Sequence, residues 1–393
     1  MSILTRYICL ELAKVFLVTL SSMTALMLIV GLVEEAVREN LTPLTILQLI
    51  PYVLPNALCF AIPGTALFST CLVLGRMAAG NEVVAVKAAG VSPMAFVWPV
   101  LLMAFAVSLV TVYLNDMAVS WGRKGVFRVV LHSVEKTILS VLSAQGSYQS
   151  GSIAIYVDDV VDDRLIRPVV EVYNDGEEIQ FTAEWAELTV DTEKEQLVFI
   201  LKHPHCRIGD EGILIGEQIG RFPIALQAAT RNKDRSDNPS NLPLRNIQQE
   251  TISQARKNQS GRRQLAMQAA LQMLGGDFVS LTHPRWKSRV AELSTGHHRI
   301  YRLHAEPWRR WANGFSCFFF VLVGAPLSIL MRKRDFWGTF GVCFLPILFA
   351  YYPLLMFGVE EAKSGSLPPP VVWLGNGVLL VIGCCLAKRV VRN

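Results

Sequence analysis

The sequence lacks the short motifs that carry most nucleotide and hydrolytic chemistry. It has no G-x-x-x-x-G-K-[ST] loop, so the chain does not hold ATP phosphates as P-loop ATPases do. It also has no G-x-S-x-G nucleophile elbow and no H-E-x-x-H zinc helix. No other grouping of a nucleophile with a base stands out. We therefore expect no catalytic residues and no enzymatic activity.

The sequence also lacks cysteines at the spacing of a zinc or redox site. Seven of the eight cysteines lie in or beside apolar runs, where cysteine behaves as a small hydrophobic residue, and only Cys206 lies elsewhere. There is no C-x-x-C pair, and the histidines do not show the i, i+4 spacing with an acidic neighbour that zinc peptidases use. We expect no metal and no cofactor. The net charge is a modest +5, and we expect no nucleic-acid partner.

Charge is scarce, whereas long hydrophobic runs are abundant. Charged residues make up 18% of the chain, against about 25% in soluble proteins, and hydrophobic residues make up 52%. Six runs contain roughly the 17–25 apolar residues that cross a bilayer as a helix. They lie near residues 15–33, 52–74, 94–114, 312–331, 337–357 and 371–387. The predicted fold class is an α-helical polytopic membrane protein with about six transmembrane helices.

The predicted spans contain almost no ionisable side chains, and Glu11 and Lys14 lie close to one end of the first run. Ion-coupled transporters usually need carboxylates inside the membrane. If this protein moves a substrate, we expect the energy to come from a partner.

Basic residues mark one side of the spans. They cluster at Arg6, Lys14, Arg76, Lys87, Arg332–Arg334, Lys388, Arg389 and Arg392, whereas the short segments 34–45 and 358–370 are mainly acidic. The positive-inside rule then predicts that both termini, the segment 75–93 and the turn 332–336 are cytoplasmic. The long segment 115–308 is predicted to lie outside, on the side of the membrane opposite to the cytoplasm.

The long segment has two parts. Between about 140 and 226, short stretches alternate apolar and polar residues and are separated by turn residues, which predicts an inserted all-β domain, either a small sandwich or jelly-roll-like. Its apolar inner face is interpreted either as a holder for a lipid tail or as the domain's own core. Residues 230–245 are predicted to form a linker by their composition. Residues 246–273 are predicted to form a helix that is broken at Ser260–Gly261 and ends at Gly275–Gly276. Residues 285–311 are rich in basic residues and are predicted to lead back into the membrane. The predicted divisions are 1–115, 116–245, 246–308 and 309–393.

A short helix is predicted near residues 80–90, between the second and third spans. Asn81 suits an N-cap, Glu82 places a negative charge in the first turn, and Gly90 suits a left-handed C-cap. Two helical turns are too short to be stable alone. We interpret this helix as a docking element for a partner protein.

The chain resembles the LptF/LptG (YjgP/YjgQ) permeases over nearly its whole length. The residues that carry the resemblance occur in the family's order: RYICLEL (6–12), Pro51, Pro55, Pro63, LGRMAAGNEVVAVKAAGVSP (74–93), Asn115–Asp116, EPWRRWA (306–312), GAPLSI (324–329), Arg332–Arg334, Tyr351–Tyr352 and LPPPVVWLGNGVLLVIG (367–383). The resemblance implies the membrane subunit of an ABC exporter that extracts lipopolysaccharide or a similar amphipathic lipid from the inner membrane.

The resemblance also implies a multi-pass protein of the inner membrane with its large domain, in segment 115–308, in the periplasm. It implies partners and roles as well. The partners are a cytoplasmic ABC ATPase dimer, a second LptF/LptG-type permease and a periplasmic bridge protein. Glu82 matches the acid of the family's coupling helix, and Arg76, Asn81 and Lys87 lie beside it. Arg38 is the candidate for contact with a lipid phosphate, with interfacial snorkelling as the alternative interpretation. The alternative function is a non-transporting scaffold for envelope assembly, anchored in the inner membrane.

Overall fold

Helices account for every predicted span, because a chain in hydrocarbon must satisfy its backbone hydrogen bonds within itself. The structure, a computed structural model, describes residues 3–39, 43–150, 153–161, 164–174, 177–191, 196–208, 212–215, 219–225, 238–276, 283–331 and 336–392. The helices are α1 (Ile3–Glu39), α2 (Pro43–Ala79), α3 (Glu82–Ala88), α4 (Met94–Met117), α5 (Arg123–Gln145), α6 (Leu244–Leu274), α7 (Pro284–Leu330), α8 (Phe336–Pro346), α9 (Tyr352–Ser364) and α10 (Leu374–Arg392). Short π-helical segments join α4 to α5 and α8 to α9.

Six stretches of the described chain are long and apolar enough to cross a membrane as helices. They are Ile3–Glu34, Thr45–Ala79, Met94–Val129, Trp286–Leu330, Gly338–Ser364 and Pro369–Arg392. Each overlaps one predicted run, so the prediction of about six spans is confirmed. Several helices continue well past the apolar residues, and α7 has 47 residues.

The described chain divides into two compact units. One comprises Met1–Gly31, Pro51–Gly122 and Pro239–Asn393, and the other comprises Leu32–Ile50 and Arg123–Asn238. The first unit contains the helical bundle, and the second contains the strands.

In the helical unit, α7 packs closely against its neighbours through glycine. A Cβ atom at Gly314 of α7 would lie 3.1 Å from the Cα atom of Val112 in α4, and one at Gly383 of α10 would lie 2.6 Å from Leu322 Cγ in α7. Lipid tails are as apolar as leucine, so helices in a membrane gain most from such close backbone approach. These glycines therefore allow α4 and α10 to pack against α7.

The strand-rich unit contains two antiparallel sheets. The strands are β1 (Ser147–Ser150), β2 (Ile153–Tyr156), β3 (Asp159–Val161), β4 (Arg164–Ile166), β5 (Val169–Asn174), β6 (Glu177–Thr182), β7 (Trp185–Asp191), β8 (Gln196–Lys202), β9 (His205–Ile208), β10 (Gly212–Ile215) and β11 (Ile219–Ala225). One sheet has the order β1-β2-β5-β6-β9-β10, and the other has the order β11-β8-β7-β4-β3. The antiparallel sheets agree with the predicted β insert, whereas its jelly-roll topology remains a prediction.

Alternating residues of both sheets point into one core. Leu188 of β7 lies opposite Phe199 of β8, and both are buried with Val170 of β5. Ile138 and Leu142 of α5 complete the same core, although the sequence pattern did not predict this helix. Of the two interpretations of the inner face, this packing favours a core made of the unit's own side chains.

One prediction between the strands and α7 needs correction. The predicted break at Ser260–Gly261 is wrong, because α6 runs unbroken from Leu244 to Leu274. A Cβ atom at Gly261 would lie 3.0 Å from Leu293 Cδ2 of α7, so this glycine serves close packing instead. The end of the helix at Gly275–Gly276 is confirmed. Residues 226–237, which include the first half of the predicted linker 230–245, and the basic turn Arg332–Arg334 lie outside the described residues.

We predict that Gly314→Ala lowers the free energy of unfolding by about 1–3 kcal/mol, because the added methyl group forces α4 and α7 apart. Reaction of the buried thiols of Cys71, Cys317 and Cys343 with a fluorogenic dye during heating measures the loss. Gly377→Ala is the matched control, since no atom lies within 4 Å of a Cβ there. Equal stability of the two variants would contradict the packing role of Gly314.

Candidate functional site

The short helix α3 is held on the bundle by one face. Val83 is 7% exposed and belongs to the core of the helical unit, and Val86 packs against the same core. The rest of the helix surface is exposed, including Glu82, Val84 and Lys87. A helix of seven residues gains little stability from its own hydrogen bonds, so this apolar anchor holds it in place.

The two ends of α3 are built differently. At the C-terminal end of α3, Gly90 has φ +82°. The N–H of Gly90 donates to Lys87 O at 3.0 Å, and the N–H of Val91 donates to Val86 O at 3.2 Å. This is a Schellman motif, and it confirms the predicted left-handed glycine. At its start, Asn81 occupies the N-cap position, but its side chain makes no capping hydrogen bond. Asn81 has φ 59°, so it serves the sharp turn out of α2, and its predicted role as a side-chain cap is wrong.

Arg76 lies in the last turn of α2, six residues before α3 begins. Its Nη2 atom is 2.6 Å from Oε1 of Glu11 in α1, and this ion pair joins the ends of the two helices. Arg76 also lines a cavity of about 260 Å³ between α2 and α8, with Cys71 and Thr339 on its walls. The structure therefore gives Arg76 a partner within the chain, which the sequence pattern did not indicate.

A second polar cluster surrounds Arg310 of α7. The side chain of Arg310 is 2% exposed, as is that of Glu306 one helical turn earlier. Arg310 Nε lies 3.1 Å from Glu306 Oε1, and Nη1 lies 3.2 Å from Asp116 Oδ1 in α4. Arg309 adds two hydrogen bonds to the Glu306 carboxylate, at 3.0 Å and 2.5 Å. A buried guanidinium is tolerated because its donors meet two carboxylates in good geometry.

The same cluster fixes the start of α6. Arg310 Nη2 donates to the backbone oxygens of Ser240 at 3.2 Å and Leu242 at 2.7 Å. Asp116 also contacts this segment: its Oδ1 atom accepts a hydrogen bond of 2.8 Å from the N–H of Leu244, the first residue of α6. An acidic group at the start of a helix satisfies an unpaired N–H and the helix dipole together. Residues 238–244, which belong to the predicted linker 230–245, are therefore bound to α4 and α7 through Ser240, Leu242 and Leu244.

The remaining site residue, Arg38, belongs to the last turns of α1, and its side chain lies outside what the structure describes. The role in lipid contact stays a prediction. Sequence reasoning used Asp116, Glu306 and Arg310 only as marks of resemblance. The i, i+4 spacing of Glu306 and Arg310 is the one signal that indicates their pairing, whereas Asp116 is 194 residues from Arg310 and has no local signal.

The fold and these two polar clusters define a polytopic membrane protein whose helix ends are fixed by charges, with a β insert and a short exposed helix. The chain matches the family model of the lipopolysaccharide export system permease LptF/LptG over residues 6–389. A comparison with curated proteins finds no significant match. The chain belongs to the LptF/LptG family.

Family membership places the protein among multi-pass inner-membrane permeases of lipopolysaccharide export. Such a permease is a membrane subunit of an ABC transporter and not an enzyme. The transporter has further components, with which this chain works.

We predict that Arg310→Gln lowers the free energy of unfolding by about 3–5 kcal/mol, because it removes the buried positive charge shared by Glu306 and Asp116 and the donor to the backbone oxygens of Ser240 and Leu242. Arg309→Gln is the matched control. Its side chain is 30% exposed and leaves Glu306 paired with Arg310, so the loss is smaller. Thermal unfolding of the purified protein compares them, and equal losses would contradict a central role for Arg310.

For the other ion pair, we predict that Arg76→Glu destabilises the protein because it sets two carboxylates against each other. The double variant Arg76→Glu with Glu11→Arg restores the attraction and therefore the thermal stability. A double variant as unstable as the single one would show that Glu11 is not the partner that matters to Arg76.

Proposed function

We propose that this chain is the permease half of an exporter that extracts lipopolysaccharide or a similar amphipathic lipid, driven by a separate cytoplasmic ATPase dimer. The observation that carries the proposal is the geometry of α3. Val83 and Val86 fix one face to the bundle, and Glu82, Val84 and Lys87 are exposed on the rest of the helix surface. The chain itself has no P-loop, so a coupling element must be offered to another subunit.

Force applied to α3 reaches three spans. Only Gly80 and Asn81 separate α3 from α2, and the segment 89–93 leads directly into α4. The ion pair of Arg76 with Glu11 links α1 to the same end of α2. ATP-driven closure of the partner dimer would therefore move the first three spans as a body against the last three. The close contact of Gly314 with Val112 is the pivot of that motion.

The second permease would cover α1. This helix packs on its own bundle near Ile8 and Leu12, whereas Leu17, Val18 and Ile29 are 60–71% exposed. A span with so little burial inside its own chain needs lipid or another subunit against it. We assign the lipid path to this side, with Arg38 at its periplasmic end, and the β insert to the handover to a periplasmic bridge protein. In this orientation, both termini and α3 lie in the cytoplasm.

The proposal predicts that Glu82→Arg abolishes co-purification of the ATPase, because a positive side chain replaces the acid that faces the partner. Membrane insertion and thermal stability should not change, since Glu82 is exposed. Glu360→Arg reverses an equally exposed acid at the opposite ends of the spans and serves as the control. Normal recovery of the ATPase with Glu82→Arg would overturn the assignment of α3.

A further inference from the structure

The hairpin formed by α6 and the first part of α7, residues 244–305, holds the protein's excess positive charge. It contains ten lysine and arginine residues and three acidic residues, a net charge of +7, whereas the whole chain has +5. The remainder of the protein is therefore slightly acidic. Such a concentration of one sign attracts ligands of the opposite sign.

The hairpin is a stiff antiparallel rod. Contacts between the two helices recur along its length: Arg299 Nη2 lies 3.0 Å from Glu250 Oε1, and Arg289 Nη1 lies 2.7 Å from Gln268 Oε1. Between these pairs, Gly261 lets α6 approach α7 at Leu293. Arg310 and Asp116 fix the base of the rod.

The rod carries its charges well beyond the bilayer. The helix α7 continues without interruption from Pro284 to Leu330, and residues 307–330 account for about 36 Å, enough to cross a hydrocarbon core of about 30 Å. Leu293, which marks the level of the basic residues of α6, lies about 21 Å beyond Pro307. The polar layer of a bilayer is only about 5–8 Å thick on each side. The phosphates of ordinary lipids are therefore out of reach.

The charges surround the rod on all its open sides. Arg256, Lys257, Arg262 and Arg263 are exposed. At about 100° per residue, Arg256 and Arg263 point away from α7, while Lys257 and Arg262 point to opposite flanks. A folded acidic protein contacts one side of such a rod, whereas a flexible polyanion reaches all of them.

We propose that this hairpin binds the phosphorylated saccharide head of lipopolysaccharide while the lipid is being exported. The inference rests on the proposed function, which places the hairpin on the periplasmic side. The head of lipopolysaccharide is a flexible polyanion that projects from the bilayer, so it occupies the level at which these four residues lie. Guanidinium and ammonium groups bind phosphate through charge-assisted hydrogen bonds.

The test uses the purified permease complex and a fluorescent phosphorylated core oligosaccharide, made by deacylating lipopolysaccharide. Replacing all four residues with glutamine should weaken binding about tenfold, as expected when several exposed charge contacts are lost together. Raising the ionic strength from about 0.05 M to about 0.3 M should weaken binding by wild type, because salt screens exposed charges. The dephosphorylated oligosaccharide should not bind, and inorganic phosphate should compete only weakly.

The matched control replaces Lys388, Arg389 and Arg392 of α10 with glutamine, since these are also exposed basic residues. An equal loss in this control, or unchanged binding in the hairpin variant, would overturn the proposal. An acidic protein docked on the outer side would instead depend on Arg256, Arg263 and the exposed Met267, with no binding of the oligosaccharide. ATPase co-purification in the same samples tests the proposed function separately: its absence from a wild-type complex that binds the oligosaccharide would contradict that function alone.

Discussion

The arrangement of the helical unit depends on the ion pairs and hydrogen bonds made by the buried guanidinium group of Arg310. In hydrocarbon, apolar side chains pack against lipid about as well as against each other, so apolar runs do not by themselves decide which helices become neighbours. Arg310 does decide, because its donors are satisfied only when Glu306, Asp116 and the backbone before α6 come together. At the far ends of the first two spans, Glu11 and Arg76 make the corresponding, more exposed link.

These two clusters also define how movement would pass through the protein. The ion pair at Arg76 lies beside α3, where we propose that the ATPase docks. The cluster at Arg310 lies at the base of the α6–α7 hairpin, where we propose that the saccharide binds. The close packing of α4 on α7 at Gly314 lies between them, so a movement of the docking helix would reach the hairpin through this contact.

Local patterns in the sequence predicted the elements better than their contacts. The length of the apolar runs indicated all six candidate spans, alternation indicated the strands, and Gly90 indicated the end of α3, because each depends on neighbouring residues only. The role of Gly261 was missed, since a glycine that breaks a helix and one that admits a neighbouring helix look the same in sequence. The partners of Arg310 and Arg76 lie on distant segments, and no local spacing indicates Asp116 or Glu11.

We propose that this permease moves lipopolysaccharide out of a bilayer with energy delivered by another subunit. The most direct measurement is the loss of labelled lipopolysaccharide from proteoliposomes that contain the purified chain with its ATPase and second permease. We expect lipid to leave only when ATP is hydrolysed and the ATPase is present. Extraction without the ATPase, or a complete complex that hydrolyses ATP and leaves the lipid in place, would contradict it.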